Sequence, residues 1–266
     1  MSVFINRKLL EQTTFHSTAP AGLACVVHAV AEEGEHELHF LDADDAVSET
    51  VPVTVAGKRP TGEATAVRLD VNPTKLGAAR LSRGPSGSPA HHVIQPGADL
   101  FITTPAPRDA CRVRLVRKTD GAVVFDSASL GAGDRFAVTL IRPGRYQVEN
   151  QLDGAKLVLT VEYPVVGKQP YSPPPPMQIE CTAGGFQAPT TTVKPAQGLI
   201  FLCSAPACLH LALVEPDDGP HQDAGPTRTT PAGSGSGGPP HAPLTEEARS
   251  VLRRVLRTFR GKPDGG

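Results

Sequence analysis

Apolar and polar residues alternate with a period of two over most of the first 218 positions, in runs of four to eight. Side chains of a strand point alternately to its two faces, so this pattern predicts half-buried strands. They are expected at 24–31, 35–41, 51–55, 66–71, 99–103, 111–117, 122–126, 135–140, 144–149, 156–162, 177–182, 198–203 and 208–214. Gly, Pro, Asp and Asn occupy nearly every gap, as hairpins between antiparallel strands require. The expected fold is all-β, built from tandem antiparallel Greek-key sandwich repeats.

Self-similarity supports the word tandem. STAPAGLACVVHAVAEEG (17–34), TTPAPRDACRVRLVRKTDG (103–121) and SAPACLHLALVEPDDG (204–219) each run from a turn through a Cys into an apolar strand and then an acidic turn. Cys25, Cys111 and Cys208 hold the same place in the three. VIQPGADLFITTPAP (93–107) also matches VKPAQGLIFLCSAPA (193–207). The expected organisation is an N-terminal β repeat at 1–60, a central sandwich at 63–168 and a truncated third repeat at 177–218.

The period changes near the C-terminus. Residues 219–243 hold 12 Pro and Gly in 25 and no core-forming run, which reads as a disordered linker. Beyond it, Leu244, Ala248, Val251, Leu252, Val255, Leu256 and Phe259 are spaced 4, 3, 1, 3, 1 and 3 apart, the stripe of an amphipathic helix over 244–262. Thr245 is placed to cap it, Glu246 and Glu247 suit its positive end, and Gly261 with Pro263 stops it. Arg249, Arg253, Arg254, Arg257 and Arg260 line the other faces.

Charge sharpens this contrast. The whole chain is close to neutral at -1, which disfavours nucleic acid as a partner. Residues 244–262 carry six basic and two acidic groups, a net +4, whereas residues 1–218 carry 19 basic and 23 acidic, a net -4. An isolated helix of about four turns is marginal in water, so this one is expected to fold against something. A groove on a partner protein suits the stripe. Docking back on the protein's own acidic sandwich, and lying on an anionic membrane surface, are the competing occupants. A short terminal amphipathic helix on a Pro/Gly-rich tether resembles the encapsulation peptides of bacterial microcompartment cargo, which implies a shell protein as partner.

The 26 Gly and 27 Pro against 5% aromatics and no Trp fit short strands and many turns. No run approaches the roughly 18 apolar residues of a membrane helix. Asn6, Arg7, Lys8, Glu11 and Gln12 interrupt any apolar leader, so a cytoplasmic location is expected. Five Cys without an export signal read as reduced, mostly packed thiols.

FDSASLGAGDRFAVTLIRPGRYQVENQLDGAKLVLTV (125–161) is similar to the second half of a cupredoxin domain, with its Gly turn, Pro-Gly-x-Tyr step and closing strand. MQIECTAGGFQAPTTTVKPAQGLIFLCSAP (177–206) resembles the first half. The Pro-Gly-x-Tyr step also resembles immunoglobulin-like sandwiches. The resemblance implies a Greek-key sandwich, and it implies no copper. A blue-copper centre takes two imidazoles and a thiolate, and the loop that should carry them reads Glu149-Asn150-Gln151-Leu152-Asp153-Gly154.

Remaining chemistry is sparse. Cys203, Cys208 and His210 form a candidate soft site for Cu or Zn, set against the plainer reading of Cys208 as a packed strand start. His28, His36 and His39 lie among four Glu, which offers a weak divalent site or an ordinary solvated face. No nucleophile elbow, phosphate loop or His-Glu-x-x-His helix occurs. Asp44-Asp45 and Asp217-Asp218 sit in turns, and His91 and His92 in a Ser/Gly/Pro-rich loop. The expected protein is a non-catalytic interaction or structural module, cofactor-free, with metal binding as the alternative.

Overall fold

A computed structural model describes residues 11–57, 66–70, 92–104, 111–163 and 171–219, with 66–70 described as backbone alone. These residues are all-β. Seventeen strands run in the order β1 (Thr14–His16), β2 (Ala24–Val30), β3 (Gly34–Leu41), β4 (Val47–Val55), β5 (Ala66–Asp70), β6 (His92–Ile94), β7 (Ala98–Thr103), β8 (Arg112–Arg117) and β9 (Val123–Asp126). They continue with β10 (Arg135–Thr139), β11 (Gly144–Asn150), β12 (Lys156–Val161), β13 (Met177–Thr182), β14 (Gly185–Phe186), β15 (Thr190–Val193), β16 (Gly198–Cys203) and β17 (Leu209–Pro216). Each expected strand is present. Four short ones, β1, β6, β14 and β15, were not expected, because two to four residues cannot display a period.

No helix occurs among the described residues, so none there is long and apolar enough to cross a membrane. The docking helix at 244–262 lies outside them, as does the linker apart from Gly219.

Three sheets form: β1-β17-β11-β12-β15, the seven-stranded β14-β13-β16-β10-β2-β7-β5, and β6-β4-β3-β8-β9. The pairing pattern occurs twice along the chain. β2 and β7, β3 and β4, and β3 and β8 pair antiparallel, as do β10 and β16, β11 and β12, and β11 and β17. The parallel pairs β4·β6 and β5·β7 likewise match β12·β15 and β13·β16.

The match extends to single residues. Gly34 and Gly144 open β3 and β11 with φ of 135° and 136°. Gly97 and Ala196 both take positive φ before β7 and β16, and their N–H groups donate to the Val30 and Leu140 carbonyls. The halves join through antiparallel β2 and β10, where Arg135 faces Val27 and Ala137 faces Cys25, symmetrically about Val26 and Phe136.

The first strand of each half crosses to the other. β1, which precedes β2, pairs with β17, and β9, which precedes β10, pairs with β8. Strands of the expected segments 1–60, 63–168 and 177–218 therefore share sheets. Of the three similar stretches, those entering β8 and β17 hold equivalent places, whereas 17–34 supplies β2 in the seven-stranded sheet. Burial and turn chemistry are common to all three, but hydrogen-bond partners are not.

One continuous core holds side chains from all three sheets, among them Val26, Leu38, Phe40, Leu100, Phe136, Tyr146, Leu159 and Phe201. Phe136 and Phe201 stack at 6.2 Å between ring centroids. The exchanged strands are anchored by Phe15 and Phe125, 2% and 3% exposed. Burying one such ring contributes about 1.5–3 kcal/mol, which with the ladder hydrogen bonds offsets the ordering of a strand of three or four residues.

Candidate functional site

The three residues of the candidate soft-metal site have three different settings. Cys203 ends β16 directly opposite Cys181 of β13, and both are buried. The hydrogen bond with Cys203 and burial push the Cys181 thiol far up, so Cys181 stays protonated. Cys208 precedes β17. Its N–H donates to Asn150 Oδ1 at 2.8 Å, and its Sγ lies 3.3 Å from Thr18 Oγ1 and 3.4 Å from Gln151 Oε1. His210 is half-buried on the outer side of the β1-β17-β11-β12-β15 sheet. Among the described residues no group of three His, Cys, Asp or Glu is arranged to hold a metal ion.

The N-terminal histidines are dispersed as well. His28 on β2 holds Asp134 Oδ1 through Nδ1 at 2.7 Å and packs against the Phe125 ring at 4.8 Å. His36 points into the core at 1% exposure, with Nδ1 3.3 Å from the Gly34 carbonyl and Nε2 unpartnered. His39 faces outward and meets Glu37 at 3.1 Å. The alternation of β3 separates His36 from His39 by turning them to opposite faces, so of the two readings the weak divalent site loses its shared face. Asp44 and Asp45 sit in the β3–β4 turn, where Asp42 Oδ1 accepts from the Asp44 and Ala46 N–H groups.

The structure instead brings His210 to His16. They are paired residues on β17 and β1, with rings stacked at 4.2 Å and 12°. Neither ring has a hydrogen bond to another described residue. Burial, and then the neighbouring His210, hold His16 below the usual imidazole range. On the same row, Glu149 of β11 is opposite His210 and Lys156 of β12 is opposite Glu149, with Nζ and Oε1 3.9 Å apart.

The other half shows what the equivalent place does. Phe15-His16-Ser17 corresponds to Phe125-Asp126-Ser127. Ser17 N–H donates to the Leu209 carbonyl while its Oγ accepts from Leu209 N–H, and Ser127 makes the same pair of bonds with Val113. Where His16 faces His210, Asp126 faces Arg114. Arg112 Nη2 and Arg114 Nε donate to Asp126 Oδ2 at 2.6 and 2.8 Å, and Arg112 also reaches Asp45. Burial alone would raise the Asp126 carboxyl, but hydrogen bonds from Arg112, Ala128 N–H and Arg114 outweigh it and leave it lowered. At this place one exchanged strand carries an ion cluster and the other two stacked imidazoles.

Sequence reading found His210 and missed His16, because β1 is too short to announce itself. Aligning TFHS (14–17) with VFDS (124–127) is the signal that pairs them. The docking residues Leu244, Ala248, Arg249, Val251, Leu252, Arg253, Val255, Leu256, Arg257 and Phe259 lie outside the described residues, as does His91. Comparison with protein-family models, with curated proteins and with solved structures found no match.

Proposed function

We propose that this protein is a non-catalytic β-sandwich interaction or structural module that docks on a partner protein through residues 244–262. The observation that carries this is the tail itself: an apolar stripe from Leu244 to Phe259, flanked by Arg, behind 25 tether residues holding 12 Pro and Gly. The complementary surface is an apolar groove rimmed by acidic side chains, and a shell protein of the microcompartment kind is the partner that the tail's resemblance implies. The β body supports a passenger role, since it closes a continuous core of its own. The last described residues, 217–219, lie on that body, with Arg142 on Asp218 at 3.4 Å and Gly219 against the Tyr163 ring.

The likeness of the halves to cupredoxin-like or immunoglobulin-like sandwiches belongs to the same proposal. It is supported by the Pro143-Gly144-Arg145-Tyr146 step, where the buried Tyr146 hydroxyl donates to the Arg142 carbonyl at 3.1 Å. A copper or zinc site at Cys203, Cys208 and His210 has no such support, because their partners separate them.

Affinity capture from the native host compares three baits: the full chain, a chain ending at Asp218, and full-chain Leu252→Glu/Leu256→Glu. A partner held by the first and lost by the other two is the expected result. The same proteins on all three baits would remove the tail from the mechanism. Sedimentation of the full chain with phosphatidylserine vesicles, and not with a protein, would assign the helix to a membrane surface instead.

A further inference from the structure

We propose that His16 and His210 form a binding site for a divalent transition-metal ion of the zinc or copper class, which clips the exchanged strand β1 to β17. Three observations carry it. First, the fold does not need imidazoles here. At the equivalent place of the other half, an Asp126–Arg114 ion pair with Arg112 fastens β9 to β8. Two stacked imidazoles in its place give up the ion pair and its hydrogen bonds, which weakens the junction unless something joins them.

Second, the donors are free and accessible. Neither ring is hydrogen-bonded to another described residue, His16 is exposed, and His210 is half-buried.

Third, the two side chains start from the right places. His16 and His210 are directly opposite across the β1–β17 ladder, where Cβ atoms lie about 4.5–5.5 Å apart. Both imidazoles can reach one ion once their side-chain torsions, of which χ2 is soft for His, turn the stacked rings so that a nitrogen of each points at it. Imidazole selects zinc or copper over magnesium and calcium. No third His, Cys, Asp or Glu among the described residues completes the set. The remaining positions therefore belong to water or an exchangeable ligand, and the ion is held reversibly.

The test uses the full chain and zinc chloride. Imidazole resonances are assigned with His16→Gln and His210→Gln, and zinc is added up to one equivalent. The His16 and His210 signals are expected to shift first and together, and zinc should raise the thermal midpoint of the wild type. Each variant should bind at that site at least tenfold more weakly and lose the rise in midpoint. Protons compete for the same nitrogens, so the rise should vanish near pH 5. Unshifted His16 and His210 signals at one equivalent would overturn the proposal on the wild-type protein alone, whatever the variants do. An equal midpoint rise in wild type and both variants would overturn it as well.

Discussion

Gly34 and Gly144 allow the cost of a backbone conformation to be separated from the cost of a close approach. They occupy equivalent places with φ of 135° and 136°. A Cβ on Gly34 would meet nothing within 4 Å. On Gly144 it would run into the Glu215 carbonyl oxygen and lie 2.8 Å from Leu213 Cδ1 and 2.9 Å from Pro216 Cα. The difference arises because β17 runs on to Pro216 opposite Gly144, past a bulge at Arg145 and Tyr146, whereas β8 stops at Arg117 opposite His36. Gly34→Ala therefore pays for φ alone, about 1–3 kcal/mol. Gly144→Ala adds an overpacking cost of about 1–3 kcal/mol, because the groups in the way are largely backbone and cannot turn aside. The loss of unfolded-chain entropy that Ala brings is common to both and cancels in the difference.

The assay is urea unfolding followed by far-ultraviolet circular dichroism, since the chain has no Trp. With an m-value that both variants share, Gly144→Ala should show the lower midpoint, by the equivalent of about 1–3 kcal/mol beyond Gly34→Ala. Equal midpoints would refute the reasoning, since they would mean that the β11–β17 contact yields without cost. A loss of more than about 5 kcal/mol at Gly34 would refute it too, because open space there leaves only the dihedral to be strained.

Tyr146→Phe removes the hydroxyl that satisfies the Arg142 carbonyl and should cost about 0.5–1.5 kcal/mol in the same unfolding experiment. Asp126→Asn weakens the acceptor shared by Arg112 and Arg114 and should cost about 1–3 kcal/mol at neutral pH. The Asp126 carboxyl is lowered in the fold, so its contribution is present above the ordinary carboxylate range and is lost as pH falls from that range through the lowered folded value; the acid limb of the stability curve should be shallower in Asp126→Asn. His16 is also lowered, so the unfolded chain binds more protons there. Stability measured with a chelator present should fall as pH drops below the usual imidazole range, and His16→Gln should flatten that fall.

Much of the architecture was legible because two faces and one period dominate it. A run such as 156–161, KLVLTV, reads as a half-buried strand and is one, with Leu157, Leu159 and Val161 inside. Pairing partners are another matter. Periodicity says which face a residue takes but not which strand lies beside it, so 17–34 could share a pattern with 103–121 while entering a different sheet. The exchange of β1 and β9 is illegible for the same reason. Their anchors, Phe15 in a polar stretch and Phe125 at the end of a short apolar run, look like ordinary buried aromatics, and nothing local says that the pocket for each belongs to the other half.

The candidate site follows the same division. His210 was visible as a strand residue two places from Cys208, and reach along one strand suggested those two as co-ligands. Across strands, however, paired residues lie only about 4.5–5.5 Å apart, closer than neighbours on one face of a single strand at about 6.6 Å. The imidazole of His210 therefore meets His16, which is 194 positions away in the chain, before it meets Cys208, and Cys203 meets Cys181. A ligand set proposed from sequence spacing alone favours i, i+2 pairs, whereas a sheet assembles its closest pairs across the ladder. The comparison that bridges the gap is between halves. An Asp that fastens one exchanged strand and a His in the same place on the other are what distinguish a structural lock from a position left free to bind.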